Sequence, residues 1–440
     1  MKSITLTSLA IALTTSVAVA QQRPAIRQIG PVTATTTETF ANVSGVRALA
    51  NGALLVNDLS GRRVLLFNPQ LSGFTVVADS TAATGNAFSG NFGALVAYRG
   101  DSSVFIDPGS VSMLVIDPSG KVGRVIAIPR AEDANNIGSP AGNAGFDAAG
   151  NLVYRANPQF RFTGGGPGAR TPGAPPALPD PPDSASVVRV NLASRKVDTV
   201  GVIRTPKIKL EMKQDDRGNM SITSQINPLP VVDDWVLTSD GSVAFVRGRD
   251  YHVDWVKPDG TRASAAKIPF EWQRMSDEDK VAFIDSVKAA RERLGANAPI
   301  PSAAAGARQQ AAAGGGEGPR VQIFTGPGGG GAPNRGGAGA AGGPQVQLNF
   351  IPASELPDYK PPFFAGSARA DREGNVWIRT IPTSAVTGGA VYDVIDHRGT
   401  LVERVQVPEG RTIVGFGPDK SVYLVHRDGA KATIEKASTR

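Results

Sequence analysis

Apolar and polar positions along this chain alternate in short bursts, each opened by a tight-turn signal. Six bursts stand out: Asn51-Gly52 before ALLVND, Gly100-Asp101 before SSVFID, Gly150 before NLVYRA, Asp240-Gly241 before SVAFVR, Glu373-Gly374 before NVWIRT, and Asp419-Lys420 before SVYLVH. A turn residue able to take a positive φ, followed by alternating or β-branched apolar residues, is the mark of a β-hairpin. A second turn follows in five units, at Asn68-Pro69, Asp117-Pro118-Ser119-Gly120, Asn191 to Ser194, Lys257-Pro258-Asp259-Gly260 and Asp396-His397-Arg398-Gly399. Apolar runs flank each of these, such as RRVLLF before and FTVVAD after the first. Each unit therefore holds four strands: one before the first turn, two between the turns and one after the second.

The first three turns lie 48 and 50 residues apart, and the last two, at Gly374 and Asp419, lie 45 apart. The wider gaps, Gly150 to Gly241 and Gly241 to Gly374, contain Pro/Gly-rich insertions. A four-stranded repeat of about 40–50 residues is the period of a β-propeller. The pattern thus predicts an all-β fold, a six-bladed β-propeller of four-stranded blades at about 44–79, 92–130, 144–204, 233–269, 367–408 and 411–438. The last unit lacks a fourth strand, and the β-rich segment 26–37 is spare. Pairing the two closes the ring and removes an exposed edge.

The repeated strings ANGALLVND with RVLLFNP, and AAGNLVYR with VVRVNLASRKV, resemble the TolB-like and NHL-like six-bladed propellers over about residues 26–440, apart from the insertions. The chain is also similar to a set of uncharacterised exported bacterial propellers, with RGRDYHVDWVKPDG as its most distinctive string. The resemblance implies architecture; such folds host unrelated activities.

The long insertions fall on one side. In a four-stranded blade the first-to-second and third-to-fourth turns share one face of the disc, and the remaining connections share the other. The segments 131–143, 157–184, 205–232 and 270–366 all belong to the second class, which gives a plain face and a decorated face. The segment 157–184 is of low complexity. Within 270–366, Ser276 and the acidic Asp277-Glu278-Asp279 predict the start of a helix over 276–294. Val281, Ile284, Val287, Ala290 and Leu294 form its packed stripe. The Gly/Ala-rich stretch 303–343 predicts disorder.

Composition narrows the chemistry. The 440 residues include no cysteine, which excludes disulfides, thiol nucleophiles and Cys-ligated metals. The start reads as a secretory signal over residues 1–20: Lys2, the apolar run Ile4 to Val17, then Ala18-Val19-Ala20 before Gln21. It predicts a periplasmic or secreted protein with no stable membrane insertion once cleaved. The net charge of +7 is scattered without a Lys/Arg block, so no nucleic-acid partner is expected.

Several blades carry arginine where the second strand leaves on the decorated face: Arg62 and Arg63, Arg155, Arg247 with Arg249, Arg379 and Arg427. Radial repetition would aim them at a common mouth, where guanidinium groups bind a carboxylate, phosphate or acidic sugar through forked hydrogen bonds. The competing expectation is that they pair with Asp58, Asp107, Asp250 and Asp428 as structural salt bridges. Of three histidines, His397 sits in a plain-face turn, while His252 and His426 lie near the decorated face beside Asp250 and Tyr251. Asp250, His252 and His426 form a candidate acid/base set. No metal-binding string, G-x-S-x-G elbow or phosphate loop is present, and the cofactor, if there is one, is left open. The leading expectation is an exported binding scaffold whose partner is an envelope protein or a small anionic ligand. The alternative is a metal-dependent hydrolase or lyase like the lactonase and streptogramin-lyase propellers. Whether the chain is an enzyme is left open.

Overall fold

In a computed structural model, residues 23–80, 93–137, 144–156, 161–162, 179–180, 182–207, 209–214, 220–294, 346–383, 387–429 and 431–439 are described. The stretch 303–343 and most of 157–184 lie outside them, as do residues 1–20. Six small antiparallel sheets form a ring, a six-bladed β-propeller. Blade 1 comprises Val43–Ala48, Leu54–Asp58, Arg63–Phe67 and Phe74–Asp79, from the axis outward. Blade 2 comprises Ala94–Ala97, Ser103–Asp107, Ser112–Ile116 and Val122–Ala127, and blade 3 Gly145–Phe146, Leu152–Arg155, Ser184–Val190 and Val197–Arg204. Blade 4 is Asp234–Leu237, Val243–Arg247, His252–Val256 and Arg262–Ser264. Blade 5 is Phe363–Ala370, Val376–Thr380, Val391–Ile395 and Leu401–Gln406, and blade 6 begins with Arg411–Phe416, Ser421–Asp428 and Lys431–Ser438.

The turn chemistry explains why the repeat is so regular. In the first turn of blade 3, Gly150 N donates to Asp147 O at 2.8 Å and Gly150 takes φ +79°, a conformation that costs glycine nothing. The Asp147 carboxylate then accepts from Asn151 N at 2.8 Å. The second turn of blade 2 repeats the device, with Gly120 at φ +87° and Lys121 N donating to Asp117 Oδ1 at 3.0 Å. Aspartate and glycine at this spacing satisfy the orphan amides of a tight hairpin.

The second strand of each blade is buried on both faces, which is why it reads as nearly continuous apolar sequence. All five residues of Leu54–Asp58 and of Ser103–Asp107 are buried. Alternate side chains enter the layers on either side. Leu55 packs with Phe105 and Leu114 between blades 1 and 2, while Leu54 and Val56 pack with Tyr423, Val425 and Ile434 between blades 1 and 6. Six such apolar layers separate successive blades, and each fully buried Leu, Val or Phe contributes about 1.5–3 kcal/mol.

Closure differs from the simple expectation for 26–37. Val32–Thr35 pairs with Lys431–Ser438 and is the fourth strand of blade 6. Ile26–Gln28 instead pairs in parallel with Leu401–Gln406, adding a fifth strand to blade 5. The switch occurs at Gly30-Pro31: Ile29 N still donates to Gln406 O, Gly30 N donates to Ser438 O, and Pro31 has no amide with which to continue either ladder.

Insertions before blades 4 and 5 meet in one added layer. Lys209–Gln214 and Met220–Ile226 form a hairpin, and Val346–Phe350 joins it in parallel. Neither strand pair was evident from composition. The helix spans Asp277–Leu294, capped reciprocally by Ser276 and Asp279: Asp279 N donates to Ser276 Oγ at 3.2 Å and Ser276 N to Asp279 Oδ2 at 2.9 Å. Its packed face carries Phe283, Ile284 and Val287, whereas Val281, expected on that face, is exposed. Ile284, Met275, Leu229, Ile351 and Leu356 form a small core against Phe364 and Ile381 of blade 5. No helix among the described residues is long and apolar enough to cross a membrane.

Candidate functional site

The innermost strands carry the polar groups closest to the axis. Asp234 opens the innermost strand of blade 4 and is 5% exposed. The equivalent strand of blade 5 bulges between Phe363 and Ala368, with Gly366 at φ +74°, and this turns its amides toward the carboxylate. Ala368 N donates to Asp234 Oδ2 at 2.8 Å, and Trp235 N donates to Oδ1 at 2.9 Å. Two cations face the same carboxylate: Arg155, at the end of the second strand of blade 3, and Arg369, one residue beyond the bulge. Burial lowers both guanidiniums from the ordinary arginine value, and Asp234 opposes the shift. For Asp234 burial prevails over its hydrogen bonds and the nearby Arg369 and pushes its carboxyl up to about 6.

Two polar atoms here are left over. Arg155 Nε and Ser367 Oγ are enclosed and have no hydrogen-bond partner among the described residues. A buried donor without an acceptor costs about 1–3 kcal/mol, so such a group marks a place for water or a ligand.

The arginines singled out by the repeat do not share one environment. Arg62 is exposed in its turn at φ +51°, and its neighbour Arg63 pairs with Asp58 at 2.9 Å and Glu38 at 2.5 Å. Arg247 ties blade 4 together and to blade 3: its Nε meets Asp254 Oδ2 at 2.7 Å, and its NH1 meets Asp233 Oδ2 and Val202 O, each at 2.9 Å. Of the salt bridges weighed against ligand binding, with Asp58, Asp107, Asp250 and Asp428, these include only Arg63 with Asp58; Arg247 takes Asp233 and Asp254 instead. Arg249 is exposed, Arg379 is half-buried, and Arg427 is half-buried with NH2 3.4 Å from Ala41 O.

Tyr251 is fully buried and donates its hydroxyl to Asp393 Oδ2 at 2.9 Å between blades 4 and 5, so it faces the core. His252 lies between two carboxylates, with Nδ1 2.9 Å from Asp250 Oδ1 and Nε2 3.2 Å from Asp254 Oδ1. His426 neighbours Glu435 at 3.4 Å, and Arg411 holds the same carboxylate at 2.6 Å. His252 and His426 thus sit in separate networks on blades 4 and 6. His397 is exposed in its turn. Asp107 accepts from Ser110 Oγ at 2.6 Å, and Asp428 is exposed. Among the described residues no group of three or more His, Asp or Glu side chains is arranged to hold a metal ion.

Asp234, Ser367 and Arg369 were missed by sequence reasoning, which searched the ends of second strands. The available signal was a charged residue interrupting an innermost apolar strand, as in DWVL and FFAGSARA.

No family model matches the chain, and no curated protein does. Among solved structures it is similar to a gluconolactonase from Xanthomonas campestris, at 14% identity over 95% of this chain and 99% of that one, with a TM-score of 0.35. It is similar to virginiamycin B lyase from Staphylococcus aureus, at 9% identity over 92% of this chain and 97% of that one, with a TM-score of 0.37. It is also similar to regucalcin, a calcium-binding protein from Agrobacterium tumefaciens, at 11% identity over 94% and 97%, with a TM-score of 0.38. These are likenesses of fold and assign no residue.

Proposed function

We propose that this protein binds a small anionic molecule, a carboxylate before others, at the decorated end of its central opening. The observation that carries the reading is Arg155, whose enclosed Nε has no partner among the described residues while its charge faces Asp234. Arg369 faces the same carboxylate and the enclosed Ser367 hydroxyl also lacks a partner among the described residues, so a bound anion would accept from Arg155 Nε and Ser367 Oγ. The scaffold supplies rigidity and the decorated face supplies the entrance.

Calorimetric titration with acetate, succinate and citrate tests this. Saturable binding of at least one is expected, weakened about tenfold or more in Arg155→Gln, as for loss of one charged hydrogen bond. Equal affinity in wild type and variant would sink the reading.

We also read the chain as an exported propeller of the TolB-like or NHL-like type, on Lys2, the apolar run to Val17 and Ala18-Val19-Ala20. Intact-mass analysis of protein recovered from the expressing cell's envelope fraction should show a chain beginning at Gln21. A chain retaining residues 1–20 in the cytosol would refute export.

A second reading, hydrolysis or elimination on a lactone-like substrate, is favoured by Asp234. A carboxyl raised to about 6 both gives and takes a proton near neutral pH. The described residues provide no metal cage, so no step is assigned to a metal. Turnover on a lactone panel that disappears in Asp234→Asn, with the variant folded, would select this reading over simple binding.

A further inference from the structure

The plain end of the ring holds a second concentration of positive charge. Arg47, on the innermost strand of blade 1, and Arg372, in the first turn of blade 5, donate to the same oxygen, Ala48 O; the Arg372 NH2 lies 2.6 Å from it. The reach of Arg372 passes blade 6, so the pair spans the plain end of the central opening. Two donors on one carbonyl lie within about 5 Å of each other. The carboxylate in contact with Arg47 is Asp101, at 3.0 Å from NH2, and its other oxygen accepts from Ala50 N at 2.7 Å.

The compensation is incomplete. Burial, and after it the nearby Arg372, hold Arg47 below the ordinary arginine value against the pull of Asp101. Arg47 Nε is enclosed with no hydrogen-bond partner among the described residues. Beside the pair lies Tyr423, fully buried, on the second strand of blade 6. Ser421 lies next to its hydroxyl, which makes no hydrogen bond of good geometry among the described residues. The Tyr423 ring and Ala48 flank the same spot: a Cβ placed on Gly417 would stand 2.9 Å from the ring and 3.2 Å from the Ala48 methyl. Two guanidiniums thus meet at the Ala48 carbonyl with one carboxylate, Asp101, in contact, and the Tyr423 ring lies beside Ala48, its hydroxyl within the field of Arg372.

We propose that Arg47, Arg372 and Tyr423 form an oxyanion-binding site at the plain end of the central opening, taking a phosphate or carboxylate group. A bound oxyanion accepts from both guanidiniums and from the tyrosine, and links blades 1, 5 and 6 across the point where the ring closes. The site shares no residue with the one around Asp234.

The experiment is thermal unfolding of the full chain against increasing inorganic phosphate or succinate, each compared with sodium chloride at equal ionic strength. A specific site raises the midpoint along a saturating curve. The expected result is such a curve for at least one oxyanion, shifted about tenfold or more to higher concentration in Arg372→Gln and shifted in the same direction in Tyr423→Phe. All curves are recorded in the Arg155→Gln background, so that the carboxylate binding proposed around Asp234 does not set them. A phosphate-only response identifies a phosphoryl ligand and a succinate-only response a carboxylate. A curve unchanged in both Arg372→Gln and Tyr423→Phe, or a response no larger than that to chloride, overturns the proposal. Tyr423→Phe removes one oxygen from a packed ring, so it keeps the test decisive if Arg372→Gln fails to fold.

Discussion

Asp234→Ala is expected to destabilise the propeller by about 3–5 kcal/mol, the range for removing one partner from a buried charge cluster. The Asp234 carboxylate accepts from Ala368 N and Trp235 N and faces Arg155 and Arg369. Alanine would leave those amides and cations without it inside the ring, and that orphaning, rather than the loss of an attractive pair, sets the magnitude. The wild-type charge already bears a desolvation cost, visible in its carboxyl being pushed up to about 6, so the lower end of the range is expected near neutral pH. Urea unfolding monitored by tryptophan fluorescence measures it, and a change below about 1 kcal/mol would show that the cluster does not hold blades 4 and 5 together.

The same carboxyl predicts a pH dependence with a definite sign. Its folded value lies above its ordinary value of 3.8, so the folded state binds the proton more tightly than the unfolded chain. The resulting stabilisation is fully present below about 3.8 and is lost as pH rises through about 6. Between about pH 5 and pH 7.5 wild type should lose about 1.4 kcal/mol relative to Asp234→Asn, which cannot titrate there. A wild-type-minus-variant difference that is flat over this interval would contradict it.

The second large effect is expected at Arg247. Arg247→Ala should cost about 2–4 kcal/mol, because Asp233 and Asp254 keep their charges half-buried and lose their common partner. Asp233 also accepts from Arg204 N at 3.0 Å and Gly248 N at 3.2 Å, so the loss extends to the contact between blades 3 and 4. Asp254, held below the usual carboxylate range by hydrogen bonds from Ser264 and Arg247 against burial, should rise in the variant. Carboxylate titration by NMR and urea unfolding read the two consequences. Arg247→Ala with unaltered stability but abolished anion binding would instead return Arg247 to the ligand-binding set.

Arg155 and Arg247 occupy matching places in their repeats, each at the end of a second strand, yet their roles diverge. The second strand of blade 4 directs Arg247 to Asp233 and Asp254, both supplied by its own blade. Blade 3 supplies Arg155 with no described hydrogen-bond partner at Nε, and its charge faces Asp234 of the next blade. Position in the repeat was legible; the identity of the neighbour across the blade boundary was not. Tyr251 makes the same point, since it lies between polar residues in the string RGRDYHVDWVKPDG but at φ +46° its ring turns into the core beside Phe270 and Phe363.

The sequence by itself determined the repeat. Turn glycines at positive φ, aspartates that satisfy the turn amides, and second strands apolar on both faces are local requirements, and each leaves a mark within a few residues. From these followed six blades, each built on four antiparallel strands. Tertiary structure alone decided which charges meet. Asp234 and Arg369 are 135 positions apart and stand on innermost strands of adjacent blades, brought together by a bulge in FFAGSARA that no local pattern demanded. Arg47 and Arg372 meet only because the ring closes. The physical reason is that hairpin geometry is written in nearest neighbours, whereas electrostatics in a closed ring depends on distances across it.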